Sequence, residues 1–193
     1  MWHYIGTLFF IFSLYSTGWA QTGSYESRLA EQLGLCTNNR AAGNDYVYPC
    51  SQCKLQFVSL SPGQQPDQFF LMEARSPDNC GSGGCTGTVY RKQGKSYIAL
   101  ANFFGYFDRA IARSGNATPD IVYVHSETMK HDFTGDGAKD RASLKVKYRW
   151  NAQRQAFEVA DILAIETAGR KVDPGAFRQL LLQEYRQGSP WVY

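Results

Sequence analysis

The sequence predicts an α+β domain, with one antiparallel, meander-like sheet and a helix from each end of the chain packed against it. Three observations carry this. Short runs with strand character, separated by turn residues, fill the middle of the chain. Helical periodicity is confined to the two ends. No internal repeat and no linker divides what lies between, so the order helix, many strands, helix belongs to a single domain.

The elements follow in chain order. Residues 24–35 read as a short amphipathic helix: Ser24 can cap it, Tyr25, Leu29 and Leu33 share a face, and Gly34 can end it. Residues 37–54 are polar and irregular and are stapled by cysteines. Strand character then appears at 55–60, 69–73, 86–91 and 96–101, with Gln93-Gly94-Lys95 as a hairpin turn. Phe103, Phe104, Tyr106 and Phe107 form an aromatic cluster around Gly105, for which core packing is expected. After a turn-rich stretch at 113–120, residues 121–125 resume a strand.

The clearest strand comes next. Leu144, Val146, Tyr148 and Trp150 alternate with Lys145, Lys147 and Arg149, which predicts one buried and one basic face. Residues 151–155 turn the chain and 156–165 return as the partner strand. Asp173, Pro174 and Gly175 open the last helix, with Phe177, Leu180, Leu181 and Tyr185 on one face and Gly188 as its stop.

The first twenty residues are unlike the rest. Leu8 to Leu14 is almost unbroken apolar sequence, no Lys, Arg, Asp or Glu precedes Glu26, and Gly18 and Ala20 suit a cleavage site. Residues 1–20 are therefore expected to be a signal peptide and 21–193 the exported domain, periplasmic or secreted. The apolar run is too short to cross a bilayer and no second one follows, so no integral membrane segment is expected after cleavage. The chain carries 20 basic and 17 acidic residues, a formal charge of +3. That is too mild to indicate nucleic acid as a partner.

All five cysteines, Cys36, Cys50, Cys53, Cys80 and Cys85, follow the leader. In an oxidising compartment they read as a disulfide framework. Cys80 and Cys85 flank Gly81-Ser82-Gly83-Gly84 and are expected to pair. One of Cys50 and Cys53 is expected to join Cys36, which leaves an odd thiol. Asn116-Ala117-Thr118 is formally a glycosylation acceptor.

One motif suggests metal chemistry. In residues 132–140, Asp-Phe-Thr-Gly-Asp-Gly-Ala-Lys-Asp, oxygen ligands could come from Asp132, Thr134, Asp136, the Ala138 carbonyl and Asp140. Calcium is a hard cation served by oxygens at alternate loop positions, and Gly137 stands where a sharp turn is needed. Ser143 at the twelfth position, followed by a strand, does not suit an EF-hand. The segment resembles the calcium loops of FG-GAP and VCBS-type repeats over about residues 132–150, in one copy. That resemblance implies a local calcium-stabilised hairpin without a propeller. The competing reading is a metal-free turn in which Asp and Gly serve backbone geometry.

Other residues are read structurally. Cys50-Ser51-Gln52-Cys53 has the spacing of a thiol oxidoreductase, yet a strand rather than a helix follows it, so a structural bridge is expected. His125 and His131 border the acidic loop without a catalytic motif and are expected to be surface or loop-packing residues. The basic stripe of Lys145, Lys147 and Arg149, with Lys130, Lys139 and Arg141 nearby, suits a solvated face or a surface for an acidic partner. Taken together, the sequence points to a non-catalytic binding module for another protein of the envelope or exterior, of the inhibitor or immunity type against a cell-wall hydrolase or toxin. The rivals are an exported thiol oxidoreductase using Cys50 and Cys53, a metal-assisted hydrolase using the acidic loop, and a structural envelope protein.

Overall fold

A computed structural model of the chain describes residues 24–38, 47–61, 65–77, 79–115, 117–128, 131–138, 140–167, 170–185 and 188–193. The expected signal peptide, Asn116, Lys130 and Lys139 lie outside the described residues.

Helix α1 (Tyr25–Gln32) starts at Ser24, whose Oγ accepts the Ser27 N–H at 3.2 Å. Its buried residues are Ser27, Leu29 and Ala30, and Tyr25 is exposed rather than on the packed face. Tyr25 instead lies at the helix margin, edge-on to Phe57. A short 3-10 turn at Cys50–Gln52 precedes the sheet.

The strands are β1 (Lys54–Ser59), β2 (Phe69–Arg75), the two-residue β3 (Cys80–Gly81), β4 (Gly84–Gln93), β5 (Ser96–Ile111), β6 (Asp120–Thr128), β7 (Arg141–Asn151), β8 (Ala156–Thr167) and β9 (Arg170–Val172). They form one antiparallel sheet in the order β1-β2-β4-β5-β6-β7-β8-β9, with β3 beside β4. Each main strand thus lies next to its neighbour in sequence, as a meander requires. The predicted α+β architecture is observed, with the sheet as its larger part.

Strand β5 organises the whole. The sequence suggested a strand over 96–101 followed by an aromatic cluster, but one strand runs through both. Its first part pairs with β4 as far as Gly105, and its second part pairs with β6 from Tyr106. The sheet folds across this strand, so that Phe69 of β2 lies 5.0 Å from the Trp150 ring at the end of β7. Phe103, Tyr123, Tyr148 and Phe157 meet in the core between the two halves. Strand alternation also corrects the expectation for the aromatic cluster. Phe103 is fully buried, whereas Phe104 and Tyr106 point to the other face and remain exposed.

Period two explains β2 and β7 as well. Leu71 joins the central core, while Phe70 and Met72 face outward and are covered by Leu29 and Ala30 of α1. Leu144, Val146 and Tyr148 of β7 are fully buried on the inner face. Each such side chain contributes about 1.5–3 kcal/mol through removal from water. Helix α2 (Gly175–Tyr185) packs by Leu181 and Tyr185, with Phe177 beside them, whereas Leu180 is exposed. Positions 177, 181 and 185 are spaced by four and form one narrow stripe; Leu180 falls off it.

The C-terminal residues close one further gap. Asn102 and Tyr193 exchange backbone hydrogen bonds at 2.7 and 3.1 Å, and the Phe104 N–H donates to the Trp191 carbonyl at 2.9 Å. The segment therefore lines the β5 edge that β6 does not reach.

Candidate functional site

The acidic loop between β6 and β7 is centred on a carboxylate. Asp132 Oδ1 accepts backbone N–H groups from Thr134, Gly135 and Asp136 and the Thr134 hydroxyl, while Oδ2 accepts the Gly137 N–H at 2.6 Å. These bonds, that of Gly137 foremost, hold the Asp132 carboxyl below the usual carboxylate range. Asp140 accepts the Phe133 and Thr134 N–H groups through one oxygen and the Thr167 hydroxyl through the other. Asp136 accepts the Ala138 N–H at 2.8 Å. Gly135 and Gly137 have φ of +77° and +83°, which lets the chain curl around Asp132.

Of the five proposed ligand positions, Asp132 and Asp140 bring a carboxylate oxygen to the same group, the Thr134 N–H, each at 3.1 Å. Among the described residues, no group of three or more His, Cys, Asp and Glu side chains is placed to hold a metal ion. The amides that Asp132 gathers give the loop its shape. The loop is fastened to the domain by Phe133, which meets Phe177 of α2 edge-on at 4.7 Å, and by His131, which lies 3.1 Å from Glu184.

The thiols divide as a framework. Cys36 is bonded to Cys50 and Cys80 to Cys85, leaving Cys53 as the free thiol. Burial pushes the Cys53 thiol up, opposite to what an attacking thiolate needs. The Cys80–Cys85 bond spans the β3–β4 turn, where the two residues face each other in register. Two disulfides fit an oxidising environment outside the cytoplasm. No described helix is long and apolar enough to cross a membrane.

His131 packs on the loop as expected, but His125 is no surface residue. It is buried in the core, stacked on Trp191 at 4.3 Å. Its Nδ1 lies 2.6 Å from the Phe104 carbonyl and its Nε2 lies 2.8 Å from the Tyr148 hydroxyl. Both nitrogens are thus engaged in the neutral ring, with Nδ1–H as donor. Burial, the larger effect, lowers its pKa to about 4. The sequence signal for this was available: His125 lies two residues beyond Tyr123 in a strand that alternates inward.

Each basic residue of the β7 stripe has an acidic partner. Lys145 pairs with Asp108 of β5, Lys147 with Asp161 of β8, and Arg149 with Asp120 at the start of β6. Arg109 and Arg178 add to the first two pairs. Arg113 likewise shares Asp120, so each of the three aspartates serves two cations and this face keeps more positive than negative charge.

An open groove of about 630 Å³ lies beside the C-terminal segment. Its walls are Leu100 and Ala101 of β5, Phe157 and Val159 of β8, and Val192 and Tyr193. The Arg154–Glu158 ion pair supplies polar groups next to this apolar lining. Its volume falls within the range of ligand-binding clefts, although its lining is as polar as it is apolar. Local periodicity does not announce it, because its walls come together only when the sheet folds across β5. No protein-family description matches the chain, and neither a curated protein nor a solved structure matches it.

Proposed function

We propose that this protein is a non-catalytic binding module that works in the periplasm or after secretion and takes another protein as its partner. The observation that supports this reading is the groove beside Tyr193, where apolar walls from three chain segments remain open to a ligand. The chemistry-bearing residues are occupied elsewhere: His125 serves the core, Cys50 is bonded to Cys36, and the acidic loop is bonded to itself. An inhibitor or immunity protein against a cell-wall hydrolase or toxin is the form of this reading that a capture experiment addresses directly.

The test uses the chain from residue 21 onward, immobilised and exposed to envelope extract, beside Leu100→Arg and Tyr193→Ala. One protein retained stoichiometrically by the parent, and released by both variants at unchanged melting temperature, is the expected result. Retention by the parent and variants alike would remove the groove from the proposal. A mixed-disulfide adduct through Cys53 would transfer the reading to an exported thiol oxidoreductase.

A further inference from the structure

Two fully buried polar side chains meet inside the folded sheet without satisfying each other. Glu73 of β2 is wholly excluded from solvent, and so is Tyr123 of β6. Glu73 Oε1 is bound by Arg75 Nε, whose guanidinium also donates to Gln56 at 3.0 Å. Glu73 Oε2 has no hydrogen-bond partner, and neither has the Tyr123 hydroxyl. Buried polar groups in native proteins are nearly always paired, with protein or with ordered water.

The two atoms converge over Gly87 of β4. A Cβ at that position would collide with the Tyr123 hydroxyl and lie 3.4 Å from Glu73 Oε2. A glycine within a strand gives up packing, and it commonly marks a place where something must approach the backbone closely. Neither partner is free to turn toward the other. The Tyr123 ring is stacked on Phe103 at 5.0 Å and held edge-on by Phe107, and Glu73 is tied to Arg75. Burial and the nearby Glu73 charge keep the phenol protonated, so it remains a donor.

We propose that Glu73 and Tyr123 form an internal two-point site for one water molecule, which accepts from the Tyr123 hydroxyl and donates to Glu73 Oε2. The bound water joins β2 to β6 across the fold of the sheet, and Gly87, having no Cβ, lets the Tyr123 hydroxyl in against β4. Its chemistry is that of the buried waters that serve otherwise unpaired polar groups.

A high-resolution crystal structure of the exported domain, and of Tyr123→Phe, tests this. The expected result is one ordered water within about 3.2 Å of both atoms in the parent, absent or displaced in Tyr123→Phe. In solution, the Tyr123 hydroxyl proton should show a rotating-frame cross-peak to water that the variant lacks. A direct hydrogen bond between Tyr123 and Glu73 with no water between them would overturn the proposal. So would two atoms that remain unpaired with neither water nor each other.

Discussion

The Tyr148 hydroxyl meets His125 Nε2 at 2.8 Å in the core, and this contact fixes which form of the histidine the fold accepts. Tyr148 donates to a neutral ring nitrogen, and the opposite nitrogen donates to the Phe104 carbonyl. Protonating Nε2 would turn the Tyr148 hydroxyl into an acceptor, with Ser189 Oγ 3.3 Å away to take its proton, and would bury an imidazolium charge. Gly105 makes the site possible, because a Cβ there would stand 2.7 Å from His125 Nδ1 at a φ of +150°. The bend of β5, the aromatic core and the buried imidazole are thus one construction.

Stability should therefore fall in mild acid. The His125 pKa is depressed to about 4 in the folded chain, against about 6.5 for an ordinary imidazole. Between those values the unfolded chain binds the extra proton, so stability is full above about pH 6.5 and declines as pH falls toward about 4. Roughly 3 kcal/mol is at stake, from about 1.4 kcal/mol per pH unit. Denaturant melts from pH 7 to 4 on the parent and on His125→Gln measure it. The variant should be less stable at pH 7 and should lack this component of the pH slope; equal slopes would refute the assignment.

The cysteines should differ sharply in their importance. Cys36–Cys50 closes a separation of 14 residues, for which chain entropy gives about 3 kcal/mol. Cys50→Ser is expected to lose most of that, and Cys53→Ser well under about 1 kcal/mol. Non-reducing peptide mapping should recover Cys53 as the alkylated thiol. Insulin reduction should be absent from the parent; measurable turnover would contradict the structural role.

Arg149 and Asp120 should matter more than the neighbouring ion pairs. Asp120 is buried and receives Arg149 Nε and Nη2 at 3.0 and 2.9 Å, a two-pronged grip. Arg113 stands 3.8 Å away and can replace only part of it. Arg149→Ala is expected to cost about 1–2 kcal/mol, the range for charged hydrogen bonds reduced by the exposure of the arginine. Lys145→Gln, which breaks a 3.4 Å contact, should change the unfolding free energy by less than about 0.5 kcal/mol. Equal effects of the two substitutions would show that the grip on Asp120 has no special weight.

Local periodicity carried most of the element plan. The strict alternation at 144–150 announced β7, and Ser24 with Gly34 bracketed α1 closely. What periodicity did not carry was the side of each strand that would be covered. Met72 and Phe70 are buried only because α1 lies over them, and Phe104 is exposed only because nothing does. The same limit applies to the candidate site. Leu100 and Phe157 are far apart in the chain and become opposite walls through the fold at β5. The charge pattern of β7 was visible, but its pairing depended on cross-strand register: Lys147 reaches Asp161 because the two stand opposite each other.

The acidic loop should keep its shape without calcium. Its centre is the Asp132 carboxylate, which takes four backbone N–H groups, so removing that acceptor should loosen the segment in any buffer. Asp132→Ala is expected to lower the melting temperature by several degrees in chelator, with His131 and Phe133 losing their fixed positions against α2. Asp132→Asn keeps an oxygen for the Thr134, Gly135 and Asp136 amides but turns an NH2 toward the Gly137 N–H, so it should fall between the parent and Asp132→Ala, whereas a calcium site would suffer further from losing the charge. The folded carboxyl has a depressed pKa, so the loop's contribution should be present above the unfolded value, near 4, and fade as the pH drops below it. Melts of the parent and both variants, each in chelator and in millimolar calcium, separate the alternatives. Calcium that raises the parent's melting temperature but leaves Asp132→Asn unchanged would establish the metal-binding reading over the turn described here.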